Sequence, residues 1–171
     1  KFCNVPTGCP LPLNPNEPME IAQSVEALKL KHVVLTSVDR DDIKDFGASH
    51  WVKVIRAVKQ KTPNVTMEVL IPDFQGHEDL VSMIIEAKPE VISHNLETVR
   101  RLSPHVRSRA TYNTSLKVLK QIADSGLVCK SGIMLGLGET RDEILETMDD
   151  LRKINCKVMT IGQYLRPSVK N

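Results

Sequence analysis

Short apolar runs rich in branched side chains alternate along this chain with longer stretches whose apolar residues recur every three or four positions. The runs are Val33-Val34-Leu35, Met67-Glu68-Val69-Leu70-Ile71, Val91-Ile92, Gly132-Ile133-Met134-Leu135 and Val158-Met159-Thr160-Ile161. Runs of this length and side-chain type predict strands. The stretches between them, 46–61, 77–87, 112–125 and 140–154, predict helices. In the first of these, Trp51, Val54, Ile55 and Val58 form one apolar stripe at i, i+3, i+4, i+7, which is expected in the core. Thr140 and Glu143 have the spacing of a capping box at the start of the last. A further helix is expected ahead of the first strand, capped by Asn16, with Pro18 in its first turn and Ile21, Ala22, Val25 and Leu28 on one face. Five of the ten prolines fall in the first eighteen residues, so 1–16 is expected to be a proline-rich loop.

Strand alternating with helix implies parallel strands joined by right-handed crossovers. Either a (β/α) barrel, whole or partial, or a doubly wound sheet satisfies that pattern. The strand ends separate the two. Each run finishes in polar or glycine-bearing residues: Thr36-Ser37-Val38-Asp39-Arg40, Pro72-Asp73-Phe74, Ser93-His94-Asn95-Leu96-Glu97, Gly136-Leu137-Gly138-Glu139 and Gly162-Gln163-Tyr164. Loading the same end of every strand suits a barrel, whose active face collects all the strand ends. A doubly wound sheet gathers its ligand contacts near one switch point. The expectation is therefore one α/β domain over 1–171, a partial TIM-type barrel.

Composition narrows the function. Of 171 residues 41% are hydrophobic and 26% charged, with a net charge of +2, which fits a single folded domain rather than a disordered tail. A near-neutral balance argues against nucleic acid, and the cluster Arg100, Arg101, Arg107 and Arg109 has no aromatic residues interleaved. No apolar run approaches the roughly eighteen residues of a membrane-spanning helix. Cys3, Cys9, Cys129 and Cys156 are too few and too scattered for a disulfide scaffold. The chain opens on Lys1 rather than Met, so it is expected to begin inside a longer protein, and no targeting segment is visible.

Several motifs admit a chemical and a plain reading. Gly136-Leu137-Gly138-Glu139 lies between a strand and a capped helix, where it serves either as an anion site or as a tight turn; it lacks the third glycine of a dinucleotide fingerprint. Asn95 and Glu97, two apart at a strand end, are expected on one side, suited to a pair of ribose hydroxyls or to loop hydrogen bonding. His94 belongs to no metal-ligand pattern and reads best as a satisfied structural histidine. Asp39, Asp41 and Asp42 read as a solvated turn holding Arg40, and Cys129 and Cys156 as small buried hydrophobes at strand starts.

The blocks Lys1-Phe2-Cys3-Asn4-Val5, Val33 to Asp42, Glu68 to Phe74, His94 to Val99, Lys130 to Glu139 and Thr160 to Leu165 run in order over nearly the whole chain. Together they resemble the lipoyl synthase family of radical S-adenosylmethionine enzymes. The family's fold is a partial (β/α)6 barrel, so the resemblance implies that the first strand precedes this chain. The exposed strand edge this leaves is expected to make the domain marginal or self-associating.

The resemblance implies sulfur insertion at C6 and C8 of an octanoylated lysine on a lipoyl carrier of the H protein or E2 type. No acid–base side chain removes hydrogen from such carbons, so a cofactor must supply a radical. Implied cofactors are S-adenosylmethionine and two 4Fe-4S clusters, one binding S-adenosylmethionine and one giving up sulfur. The electron donor implied is a ferredoxin or flavodoxin. Cys3 matches the third cysteine of the family's CxxxCxxC motif; the other cluster ligands fall outside the chain, so alone it is expected to be inactive. Thr36 and Ser37 match the usual position for the methionine amine, Asn95 and Glu97 for the ribose, and Met134 and Gly136 for the adenine. Lys130 is a candidate for the methionine carboxylate, and Gln163, Tyr164 and Arg166 for substrate. Bacterial cytoplasm is the expected compartment, with an organelle matrix as the alternative. The competing reading is a carrier-protein or nucleoside binding module without chemistry. A biotin-synthase type enzyme does not match the Thr36 to Asp42 and His94 to Thr98 blocks.

Overall fold

Side-chain alternation along five parallel strands separates a polar sheet face from an apolar one. The computed structural model describes residues 8, 10–107 and 109–168, so Cys3 and Cys9 lie outside the described residues. The strands are β1 (His32–Thr36), β2 (Thr66–Leu70), β3 (Val91–Ser93), β4 (Val128–Leu135) and β5 (Val158–Gln163). They pair in sequence order, each parallel to the next, with no reversal. Without a reversal there is no switch point, so the doubly wound alternative falls away. The sheet is a curled half-barrel.

The helices are α1 (Glu17–Ala27), α2 (Ala48–Lys61), α3 (Glu78–Glu86), α4 (Ser103–Val106), α5 (Tyr112–Asp124) and α6 (Arg141–Lys153). Trp51, Val54, Ile55 and Val58 of α2 are all buried, as their spacing predicts. α1 lies alongside α2 in the same direction: Glu17 reaches His50 at 2.5 Å at one end, and Glu26 reaches Lys61 at 2.9 Å at the other. The Thr140–Glu143 capping box is present, its backbone and side-chain bonds both formed. Asn16 stands at the N-cap of α1, as expected, but caps with its backbone only, because its own φ and ψ are already helical. A capping side chain needs an extended residue to reach the next amides.

Val33, Met67, Val69, Ile92, Cys129 and Ile133 face the helices and form the core. The opposite, concave face carries Val34, Glu68, Ser93, Lys130, Gly132 and Thr160. Here Lys130 Nζ lies 2.9 Å from the Glu68 carboxylate, which also accepts from Ser93 Oγ at 3.0 Å. That polar face hid the start of β4, which is Val128 rather than Gly132: Lys130 on the concave side and the buried Ser131 on the helix side interrupt the apolar run although they are strand residues. Two short elements also escaped the pattern, α4 and a 3-10 turn at Phe74–Gly76.

Core position and exposed position have different costs. Ile92→Ala, at a fully buried site in the central strand, is expected to cost roughly 2–5 kcal/mol in urea denaturation. Leu145→Ala, on the exposed side of α6, is expected to change stability by about 0.5 kcal/mol or less.

Candidate functional site

The polar strand ends meet at one rim of the half-barrel, and the line of β3 dominates it. Ser93 is level with Lys130 of β4, but Glu97 is level with Ile133. One extra residue has entered on the β3 side, which is a bulge. His94 N–H donates to Lys130 O, Glu97 N–H to Gly132 O, and Met134 N–H to Glu97 O. Glu97 therefore has both backbone groups clamped to β4 while holding a left-handed φ of 66°. Such a conformation costs a non-glycine residue about 1–3 kcal/mol and persists only where its surroundings fix it.

The bulge turns Leu96 into the core and brings the Asn95 and Glu97 side chains together, near enough for the Asn95 amide to draw the Glu97 carboxyl down. Burial pushes the Glu97 carboxyl above its usual range, opposed by the Asn95 amide and by the Arg107 charge. Gly132 lies beneath the pair. A Cβ there would stand 2.6 Å from Thr160 Oγ1 and 3.0 Å from Asn95 Oδ1, so glycine is needed for Asn95 to lie where it does.

Arg107, between α4 and α5, is the charge at the centre of this rim. Burial lowers its pKa, and Glu97, Asp73 and Asp39 act in the opposite direction. Among the described residues no carboxylate lies within ion-pair distance of it; its hydrogen bond goes from Nη1 to Ser115 Oγ at 2.7 Å. A half-buried guanidinium so arranged attracts an anion. Asp39 is pushed up by desolvation, then by Asp41 and Asp73. Asp73 is held by Gln75 N–H at 2.9 Å. The turn after β1 holds Arg40 on Asp42 through two bonds of 2.8 and 2.9 Å, as the sequence suggested, whereas Asp41 reaches across to Arg109 at 2.7 Å.

His94 faces the helices and is satisfied at both ring nitrogens, by Ile71 O at 2.9 Å and Ser115 Oγ at 2.8 Å. Burial is the main reason its pKa falls to about 4. Arg107 and Asp73 had no site role in the sequence reading, although Asp73 stood in one of its polar strand ends and Arg107 in its arginine cluster. In the sequence Arg107 is one of four neighbouring arginines, and burial alone distinguishes it.

The remaining candidates spread along the rim. Thr36 and Ser37 are exposed at the end of β1. Met134 lies beside Glu97 through its amide. Gly136 and Leu137 give their amides to Glu139 at 2.6 and 2.9 Å, so the glycine loop is closed by its own carboxylate, which favours the tight-turn reading over the anion site. Gly136 also lines an open cavity of about 580 Å³ with Tyr164, Leu165 and Arg166. Gln163 Nε2 donates to Leu135 O at 3.0 Å. Lys130 is committed to Glu68, deeper in the concave face. Cys129 is buried, donating to Leu119 O, while Cys156 is only half-buried. Among the described residues no group of three or more His, Cys, Asp or Glu is placed to hold a metal ion.

The Radical SAM superfamily model matches residues 1–151. The chain belongs to the radical SAM superfamily. This radical SAM chain is 98% identical over all 171 residues to the lipoyl synthase of Treponema denticola, of which it spans 59%. It is 60% identical over the same length to the lipoyl synthase of Parabacteroides distasonis, spanning 61% of it. The chain thus covers about three-fifths of these curated relatives. Among solved structures, that of methylornithine synthase superposes with a TM-score of 0.71 at 12% identity, covering 90% of this chain and 44% of the other. That likeness confirms the barrel-type fold.

A neutral His94 gives the fold an acid limit. The unfolded chain takes up the histidine proton near pH 6.5, the folded chain only near pH 4. Stability is therefore expected to fall as pH drops through that window, by on the order of 3 kcal/mol from this group. Urea titrations of wild type and His94→Gln at pH 7, 5.5 and 4.5 check it: the variant is expected to show the shallower decline, and equal declines contradict the assignment.

Proposed function

We propose that this chain is the S-adenosylmethionine-binding core of a lipoyl synthase, acting in sulfur insertion at C6 and C8 of octanoyl-lysine on a lipoyl carrier domain. The observation that carries the reading is the Asn95–Glu97 pair, held on a bulge beside Arg107 and above a glycine with no room for a side chain. Near-identity to a protein named lipoyl synthase supports the choice within the superfamily.

These residues fit the ligand's chemistry. Vicinal hydroxyls need an acceptor and a mixed donor–acceptor side by side, which the Glu97 carboxylate and Asn95 amide supply. Arg107 and Asn95 oppose the burial that raises the Glu97 carboxyl, and so favour the carboxylate form, which accepts two hydrogen bonds. Gly132 leaves the floor flat for a nucleoside, and Met134 is next along β4 for the adenine, with Gly136 beyond it. Arg107 takes the methionine carboxylate, a role it fills better than Lys130, whose charge is already matched by Glu68. Thr36 and Ser37 hold the amine side. When bound, S-adenosylmethionine supplies the carbon radical that abstracts hydrogen from unactivated carbon.

Substrate approaches the Gly136 cavity, where Tyr164 and Arg166 line the wall and Gln163 braces the end of β4 against Tyr164. The octanoyl-lysine comes from an H protein or E2 type carrier, and electrons from a ferredoxin or flavodoxin. Cys3 is the cluster ligand proposed from this chain, and thiolate ligation to iron fits a reducing compartment, the bacterial cytoplasm.

Equilibrium binding of S-adenosylmethionine to the full-length protein tests the assignment. Asn95→Ala and Glu97→Gln are each expected to weaken binding roughly 10- to 100-fold, since each removes hydrogen bonds to a buried ligand. Unchanged affinity in both removes the ribose assignment.

A further inference from the structure

The hydrogen bonds around His94 form a chain whose direction is fixed at every link. Ile71 O only accepts, so His94 Nδ1 carries the proton donated to it across 2.9 Å. His94 Nε2 then has a free lone pair and accepts the Ser115 hydroxyl proton across 2.8 Å. The lone pair left on Ser115 Oγ accepts from Arg107 Nη1 across 2.7 Å. Arginine has no acceptor, so the order cannot reverse. His94 is 3% exposed and Ser115 fully buried, which leaves neither side chain an alternative partner in water.

The chain ties together the end of β2, the bulged line of β3, helix α5 and the loop carrying Arg107. Three carboxylates, those of Glu97, Asp73 and Asp39, attract the guanidinium without contacting it. Attraction to three carboxylates at a distance gives no single orientation to a long side chain; a fixed hydrogen bond to one nitrogen does. The neutral ring also matters, because an imidazolium would set a second positive charge against Arg107 and turn Nε2 into a donor aimed at the serine.

We propose that His94 and Ser115 are positioning residues that aim the Arg107 guanidinium at the carboxylate of the ligand's amino-acid end, and so set the preference for ligands that carry it. This rests on the reading of Arg107 as the carboxylate receptor. It assigns a binding role to two helix-facing side chains that touch no ligand.

The test compares S-adenosyl-L-homocysteine with 5′-methylthioadenosine, which shares the nucleoside and thioether but lacks the amino-acid end. Both are titrated into the full-length protein by calorimetry. Ser115→Ala is expected to reduce the preference for S-adenosyl-L-homocysteine roughly tenfold, with 5′-methylthioadenosine affinity changed less than about twofold. His94→Gln, which keeps an acceptor at the Nε2 position, is expected to retain most of the preference, and His94→Leu to lose it. If Ser115→Ala weakens both ligands equally, the role is structural and the proposal fails. If Arg107→Met removes the preference while Ser115→Ala keeps it, Arg107 needs no aiming and the proposal fails with the carboxylate reading intact. If Arg107→Met keeps the preference, the carboxylate reading itself fails. A long-range proton–nitrogen spectrum of the wild type gives an independent readout. A neutral Nδ1–H tautomer at pH 7 is expected, and an Nε2–H tautomer or an imidazolium overturns the proposal.

Discussion

Between Ser93 and Glu97 the chain carries one residue more than β4 does opposite it, and the geometry of the rim depends on that slip. In an unbroken ladder Glu97 would occupy the next strand position and follow the pleat. The bulge instead clamps its amide and carbonyl to β4 with the backbone left-handed, and places its carboxylate against Asn95. Leu96 between them stays in the core, fully buried, and anchors the bulge from behind. A polar pair is thus fixed by backbone hydrogen bonds and an apolar anchor, with little left to side-chain freedom.

The two faces of the sheet give this device its setting. The helix-facing side excludes water and holds the strands in place; the concave side keeps charged groups that a core would not tolerate alone. Glu68 and Lys130 satisfy one another in the lower part of that face, so they add little net charge to the rim. Arg107 has no such partner among the described residues and remains the positive centre above them. Asp39, Asp73 and Glu97 keep it from standing uncompensated, yet leave its nitrogens open to an incoming carboxylate. Attraction at a distance, with a side-chain hydrogen bond to Ser115 and no ion pair among the described residues, is the arrangement of a receptor for an anion.

Most of the architecture was legible in the sequence because strands and helices each announce themselves by period. The five strands and the long helices lie where the apolar residues put them, and the capping box at Thr140 is visible as a spacing. What escaped were features that depend on a partner. A bulge is a relation between two strands, so the pairing of Asn95 and Glu97 was foreseeable while the slip that produces it was not. The start of β4 was hidden because Lys130 faces a polar interior. Arg107 looks like any member of a basic run until the fold buries it beside Ser115. The Gly136 loop admitted two readings in the sequence, an anion site or a tight turn, and Glu139 three residues later takes the amides and favours the turn.

A crystal structure of the full-length protein with S-adenosyl-L-homocysteine bound tests the central claim most directly. The account expects the ribose hydroxyls within about 3 Å of the Glu97 carboxylate and the Asn95 amide, with the ligand carboxylate on Arg107. A nucleoside seated elsewhere, against the Gly136–Arg166 cavity with Glu97 untouched, would contradict it.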